Sequence, residues 1–300
     1  MRGRLSRDDS SVAVGVDLGG TRVRVLVVGP DGRRLRSLSA PAPPLARLPV
    51  FLKSHWKRWG LQRWRVGALV VGSRGVWTRT ERRRQERRLR ALARRVQVIS
   101  DAQAAYSGAV GNRPGILVLA GTGSIAVGRS GAGRWARAGG LGPLLGDEGS
   151  AFWIGREWLR AVSRGEDFAP VRALIGRPDA VARIAALAPQ ILRRARRGDP
   201  IARRIVAEAH RHLSGLVGAL ARELRLGEPA TVSWAGSLLD DQRFRWGLRR
   251  RLRRAGLRLR LVAPEAAPVT ATARMALRLL TRSAGQPRRR GGRPGRARRR

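Results

Sequence analysis

The chain has 300 residues, 43% of them apolar, enough for one large domain or two medium ones with a sizeable core. Lys and Arg total 63 against 20 acids, a net charge of +43, and Lys53 and Lys57 are the only lysines. The absence of cysteine excludes disulfides, thiolate-bound zinc and a cysteine-held iron–sulfur cluster made by this chain.

Residues 1–10 are polar and are expected to be loose. Val12, Val14 and Val16 alternate, Asp17-Leu18-Gly19-Gly20-Thr21 interrupts, and Val23, Val25 and Val27 alternate again. That pattern predicts strand, Gly-rich turn, strand. A third strand is expected over Arg33–Ser39, and a loop over Ala40–Pro49 with its four prolines. A short buried strand follows at Val66–Val71, a helix at Glu81–Arg95, a strand at Val96–Ile99 and a helix at Ala102–Val110. Near Gly115 the opening device returns. Ile116–Leu119 reads as a strand, Gly121-Thr122-Gly123-Ser124 as a turn, and Ile125–Gly128 as the returning strand. The remainder reads as helices at 147–163, 191–197, 200–226, 242–255 and 269–281, with strands at 231–234 and 257–262. Strands alternating with helices argue an α/β protein, and the repeated hairpin suggests internal duplication. Residues 286–300, QPRRRGGRPGRARRR, have nothing to bury and are expected to be a disordered basic tail.

Glycines at a hairpin tip let backbone N–H groups approach an anion closely, and Thr adds a hydroxyl donor. Both Gly19-Gly20-Thr21 and Gly121-Thr122-Gly123-Ser124 have that make-up, and either could equally be an ordinary tight turn. Asp17, at a strand end, could hold the water shell of a Mg²⁺ ion. No GxxxxGK[ST] run occurs, so this is not a P-loop. Ser100 or Asp101 could cap the helix that follows, or Asp101 could be a catalytic carboxylate at the end of a sheet strand. Residues 139–150, GGLGPLLGDEGS, hold five glycines and then Asp147 and Glu148. A helix cap would explain one acid, and a ligand-binding loop explains the glycines. His55, His210 and His212 have no metal-like companions and read as structural. The tryptophans read mostly as core, although Trp56, Trp59 and Trp64 among basic residues could stack on bases.

The positive charge attracts nucleic acid, anionic membrane or phosphorylated molecules. Arg in place of Lys, with abundant Ala, Gly and Pro, is also what a very GC-rich coding sequence produces, and Arg is spread along the whole chain. No apolar run approaches the about 20 residues of a membrane span. Met1–Gly20 meets Asp9 and Asp17 before any adequate apolar stretch, which makes a poor signal peptide. The expectation is a soluble cytoplasmic protein.

The segments VGVDLGGTRVRVLVV, VISDAQAAY, LAGTGSIAVG, GGLGPLLGDEGSAFWIG and WAGSLLDD, in this order, resemble the BadF/BadG/BcrA/BcrD-type ATPase family. That family includes N-acetylglucosamine and glucosamine kinases and belongs to the actin/hexokinase/Hsp70 superfamily. The resemblance covers about Val12 to Leu280. It implies a two-lobed actin-like (ribonuclease H-like) α/β fold with duplicated mixed sheets closing on ATP. The implied lobes are residues 11–113 and 114–268, with a helix at 269–284 returning to the first and the tail at 285–300. By position it implies that Asp17, Gly19, Gly20 and Thr21 form a first phosphate loop. Gly121, Thr122, Gly123 and Ser124 form a second, and Gly236 and Ser237 an adenosine loop. Asp101 matches the base that takes the sugar hydroxyl proton, and Gly140 and Asp147 match sugar-contacting positions. ATP and Mg²⁺ are the implied cofactors, with Asp17 on the metal through water. The implied activity is an ATP-dependent amino-sugar kinase acting on a small-molecule sugar, with a homodimer as a possible assembly. The alternatives are an ATPase of this type with another acceptor, or a non-catalytic protein contacting nucleic acid through its basic tail. These kinases usually carry Trp where Leu141 stands and an Asn in the loop matched by Ala40–Pro49.

Overall fold

The computed structural model of the chain describes residues 11–163 and 168–281. The loose N-terminus and the basic tail expected from sequence lie outside the described residues. Contacts divide the chain into two units, one of residues up to Ser100 together with those from Thr272 onward, the other Asp101–Ala271.

In the first unit, valine alternation yields β1 (Val12–Leu18) and β2 (Arg22–Val28), followed by β3 (Arg34–Pro41). The proline-rich stretch expected to be a loop is mostly structured. It ends β3, makes a 3-10 turn at Leu45–Arg47, and starts α1 (Leu48–Arg58) with Pro49 in the first turn. A proline there forfeits an N–H that has no helical partner anyway. Leu48, Leu52 and Trp56, spaced four apart, are the buried stripe of α1. Trp56 therefore packs, and its indole N–H donates to the Leu92 carbonyl at 3.1 Å. Next come β4 (Val66–Ser73), α2 (Arg79–Leu89) and β5 (Arg95–Ser100). α2 begins before and stops short of its expected span. Thr78 and Glu81 close a reciprocal capping box at its start. Its early end frees residues 95–100 to pair with β4.

The second unit opens with α3 (Asp101–Ala109), then β6 (Gly115–Ala120), β7 (Ser124–Arg129) and β8 (Trp135–Gly139). A helical stretch follows, with α4 (Ala151–Val162), α5 (Ala169–Ile175), α6 (Ala180–Ala185), α7 (Ala188–Arg196) and α8 (Pro200–Glu223). The unit continues through β9 (Ala230–Ala235), α9 (Ser237–Asp240), α10 (Gln242–Arg254) and β10 (Leu259–Leu261). The last helix, α11 (Pro268–Thr281), begins here and gives residues 272–281 to the first unit.

The strand order is β3-β2-β1-β4-β5 in one sheet and β10-β9-β6-β7-β8 in the other. In the first, β1–β2 and β2–β3 are antiparallel while β1–β4 and β4–β5 are parallel. In the second, β6–β7 and β7–β8 are antiparallel while β6–β9 and β9–β10 are parallel. Each unit thus repeats one mixed-sheet topology, with β1 equivalent to β6 and β4 to β9. The β1–β2 and β6–β7 turns are equivalent points of the repeat.

Each sheet buries apolar side chains against helices. α8 presents Ile205, Ala209, Leu213, Val217 and Leu220, all fully buried, to the second sheet and α10. Burial of each large side chain of that kind stabilises by about 1.5–3 kcal/mol. In the first unit, Ala273 and Ala276 of α11 pack on Ala13, Ala68 and Val70. The approach is close enough that a Cβ on Gly15 would stand 2.2 Å from the Ala273 nitrogen, so β1 needs glycine there.

Candidate functional site

The first turn hangs between β1 and β2. Asp17 is the buried carboxylate near the end of β1, and the Arg24 guanidinium on β2 lies 3.4 Å from it. Gly20 and Thr21 are exposed at the tip. The Gly19 N–H donates to the Arg22 carbonyl at 3.0 Å, and the Arg74 guanidinium donates to the Gly20 carbonyl at 2.6 Å. The structure thus brings Asp17, Gly19, Gly20 and Thr21 together with two arginines that sequence reasoning did not single out.

The equivalent turn of the second unit, residues 121–124, is held from behind by the Gly-rich segment. The Ala151 N–H donates to the Gly121 carbonyl at 2.8 Å and the Phe152 N–H to the Thr122 carbonyl at 3.2 Å. The Gly140 N–H reaches the Ser124 carbonyl at 3.0 Å, and the Ser124 hydroxyl donates to the Glu148 carbonyl at 2.8 Å. Thr122 remains exposed at the tip.

Asp147 sits at the centre of this lacing. Its carboxylate accepts the Ser124 N–H at 3.2 Å. A Cβ on Gly123 would stand 2.7 Å from Asp147 Oδ2, so the contact requires glycine. Asp147 itself has φ 61°, a left-handed conformation uncommon outside glycine, asparagine and aspartate. Burial pushes its pKa above the ordinary carboxylate value, and the Ser124 N–H opposes that shift. The cap of α4 is Ser150, whose hydroxyl accepts the Trp153 N–H at 3.1 Å, rather than either acid. A helix expected to start at Asp147 therefore begins at Ala151, and the acids belong to the loop.

Gly236 and Ser237 follow β9 and lie beside Gly121. A Cβ on Gly121 would be 3.7 Å from Ser237 Oγ. A cavity of about 520 Å³ adjoins them, lined by Thr122 and Ser237 together with Ala151, Ala185, Pro189 and Leu192. That volume lies within the range of small-molecule sites. The alanines of α6 and α7 and Pro189 carry no chemical signature, so sequence reasoning passed over this wall. The second unit thus assembles Gly121, Thr122, Gly123, Ser124, Gly140, Asp147, Gly236 and Ser237 at one place. Asp101 directly follows β5 as the first residue of α3, half-buried, with its Oδ1 accepting the Ala102 N–H at 2.8 Å.

Among the described residues no three His, Cys, Asp or Glu side chains converge as a metal cage. A single carboxylate such as Asp17 beside an exposed Gly-Thr turn is chemically compatible with Mg²⁺, which usually keeps several waters and is held by one or two carboxylates. His55 packs between Phe51 and Trp59, and His212 lies against Trp153, ring centroids 5.1 Å apart. His210 lies against Phe244, ring centroids 4.4 Å apart, and burial lowers its pKa to about 4. No described helix is long and apolar enough to cross a membrane.

Two copies of one mixed-sheet topology, each with a Gly-Thr turn at the same point, define the class of actin-like ATPases. The sequence profile of the BadF/BadG/BcrA/BcrD ATPase family matches residues 14–271, and the chain belongs to that family. It is 30% identical over 198 residues to the N-acetylmuramic acid/N-acetylglucosamine kinase of Clostridium acetobutylicum, which covers 58% of this chain and 65% of that one. It is 30% identical over 142 residues to the N-acetyl-D-glucosamine kinase of Dictyostelium discoideum, covering 40% of this chain and 44% of that one. The matches thus span less than two thirds of these relatives. A solved Chromobacterium violaceum protein, named as a candidate N-acetylglucosamine kinase, superposes with a TM-score of 0.63 at 25% identity. That superposition covers 91% of this chain and 99% of the other. The family implies use of ATP.

Proposed function

We propose that the protein transfers the γ-phosphoryl group of ATP to a hydroxyl of a small amino sugar of the N-acetylglucosamine or glucosamine type. The observation that carries this reading is the pair of equivalent Gly-Thr turns, one in each repeat, the second beside a cavity of nucleotide size. Phosphoryl transfer asks a protein mainly for positioning and charge neutralisation. Gly19, Gly20 and Thr21 would offer N–H and hydroxyl donors to one phosphate group, and Gly121, Thr122, Gly123 and Ser124 to another. Ser237, which lines the cavity, and Gly236 before it would seat the adenosine. Gly140 and Asp147 would take the sugar side. Ser124 N–H occupies one site on the Asp147 carboxylate, which has other lone pairs for a sugar hydroxyl.

Asp101 is the proposed base. It would take the proton of the attacking hydroxyl. Mg²⁺, when bound, would neutralise phosphate charge, and Asp17 would hold it through water. An ATP-dependent step on a free sugar points to the cytoplasm. The test is coupled-assay ATP turnover with N-acetylglucosamine, glucosamine, N-acetylmannosamine, N-acetylmuramic acid and glucose. A large rate increase with an amino sugar is expected, and no response to any of the five would remove the reading. In the Asp101→Asn variant, ATP binding should persist while turnover falls by about 10²–10⁴-fold. Unchanged turnover would take the base role from Asp101.

A further inference from the structure

The basic residues are not evenly neutralised over the surface, and α10 is the clearest case. Its sequence, QRFRWGLRRRLRR, contains no acid. Phe244, Leu248 and Leu252 face the core at four-residue intervals. At 3.6 residues per turn the opposite side then carries Trp246 at its middle, ringed by Arg243, Arg249, Arg250, Arg253 and Arg254. Trp246 is 63% exposed, an unusual cost for the largest aromatic side chain. All five arginines are exposed. Among the described residues none of them enters an ion pair, although many arginines elsewhere do. By contrast α2, equally rich in arginine, carries Glu81 and Glu86.

We propose that the outer face of α10 binds single-stranded nucleic acid, its phosphates on the arginines and a base stacked on Trp246. Arginine pairs with phosphate through two parallel N–H bonds, and an exposed indole offers a stacking platform that any base can use. A duplex hides its base faces, so the exposed Trp selects a single strand. A membrane surface fits less well. Helices that lie in a bilayer interface sink an apolar face into it, and the apolar face of α10 is spent on the core. This binding is independent of phosphoryl transfer, because the face holds none of the residues assigned to ATP or sugar.

The experiment is fluorescence anisotropy of a labelled 12-nucleotide oligouridylate with the full-length protein across a salt series. Four proteins are compared: the unaltered chain, Trp246→Ala, Arg249→Gln/Arg250→Gln/Arg253→Gln, and the equal-charge control Arg83→Gln/Arg84→Gln/Arg87→Gln on α2. All the changes are on exposed positions, and thermal unfolding checks that each protein is folded. The α10 triple variant should bind at least tenfold more weakly at 150 mM salt, with the slope of log affinity against log salt reduced by about 2. Trp246→Ala should weaken binding by about tenfold and leave the slope unchanged. The control should lose about twofold or less. Equal losses in the two triple variants would overturn the proposal, because net charge alone would then explain binding. So would an unaffected Trp246→Ala, absence of oligouridylate binding by the unaltered chain, or stronger capture by phosphatidylserine vesicles than by the oligonucleotide.

Discussion

The β1–β2 and β6–β7 turns occupy the same point of a repeated topology, yet they are built in opposite ways. The first faces solvent, with Arg24 and Arg74 reaching it from neighbouring strand and loop. The second is laced to residues 140–152 by backbone and side-chain hydrogen bonds, with a buried carboxylate among them. Equivalent turns therefore obtain their shape from different sources. The first relies on hairpin geometry and on cations that stay adjustable. The second relies on a separate loop hydrogen-bonded behind it. A duplicated fold can keep the same turn at the same point of its topology while the support behind each copy diverges.

Glycine substitutions break the comparison most sharply. In Gly123→Ala the new methyl meets Asp147 Oδ2 at 2.7 Å, so the carboxylate must move off the Ser124 N–H. Leaving that buried group unpaired costs about 1–3 kcal/mol. Gly20→Ala meets nothing closer than the Arg74 guanidinium at 4.0 Å. Its stability should stay within about 0.5 kcal/mol of the unaltered chain. Denaturant unfolding of the two variants measures the contrast, and equal losses would refute the difference in support.

A smaller effect is expected from pH. Burial raises the Asp147 pKa in the folded protein, so ionising it there costs more than in the unfolded chain. A raised folded pKa means that its stabilising contribution is present below about pH 4, the unfolded value, and is lost as pH rises through the folded value. Asp147→Asn keeps an acceptor for the Ser124 N–H without the charge. It should be more stable than the unaltered protein at pH 7, with the gap closing towards pH 4. Urea unfolding at the two pH values tests this, and a pH-independent gap would show that the carboxylate carries no such burden.

The smallest change belongs to the first turn. Asp17 is buried, but its partner Arg24 is 47% exposed, and the pair is loose at 3.4 Å. Arg24→Gln should cost less than about 1 kcal/mol. The cost should shrink further at high salt, readable as converging melting temperatures. A loss of several kcal/mol that salt does not relieve would mean that the first turn is as rigidly buttressed as the second.

Much of the framework could be read from residue patterns. Valine alternation announced β1 and β2, and Ile116–Leu119 announced β6, because β-branched and aliphatic side chains fit a pleated surface. β8 escaped notice because WARAG offers alanine and glycine where that signal needs bulk. α1 was hidden by prolines that suit a first helical turn, and α5 and α6 by alanine-rich runs without strong periodicity, whereas α7 was expected at 191–197 and begins three residues earlier, at Ala188. At the site, the glycines and Asp101 stood out as residue types. The role of Asp147 against Ser124 did not, because it depends on a left-handed backbone and a contact 23 residues away in sequence.

The close seat of Ala273 on Gly15 has a consequence for the order in which the molecule is made. The sheet of the first unit emerges early from the ribosome. Ala13, Ala68 and Val70 then wait for helix residues encoded about 200 to 260 positions later. The second unit is continuous from Asp101 to Ala271 and has all its parts before residues 272–281 of that helix appear. Synthesis therefore finishes the later unit first, and the earliest strands spend the longest time uncovered. Translation rate and chaperone supply should accordingly govern the yield of the first unit more than that of the second.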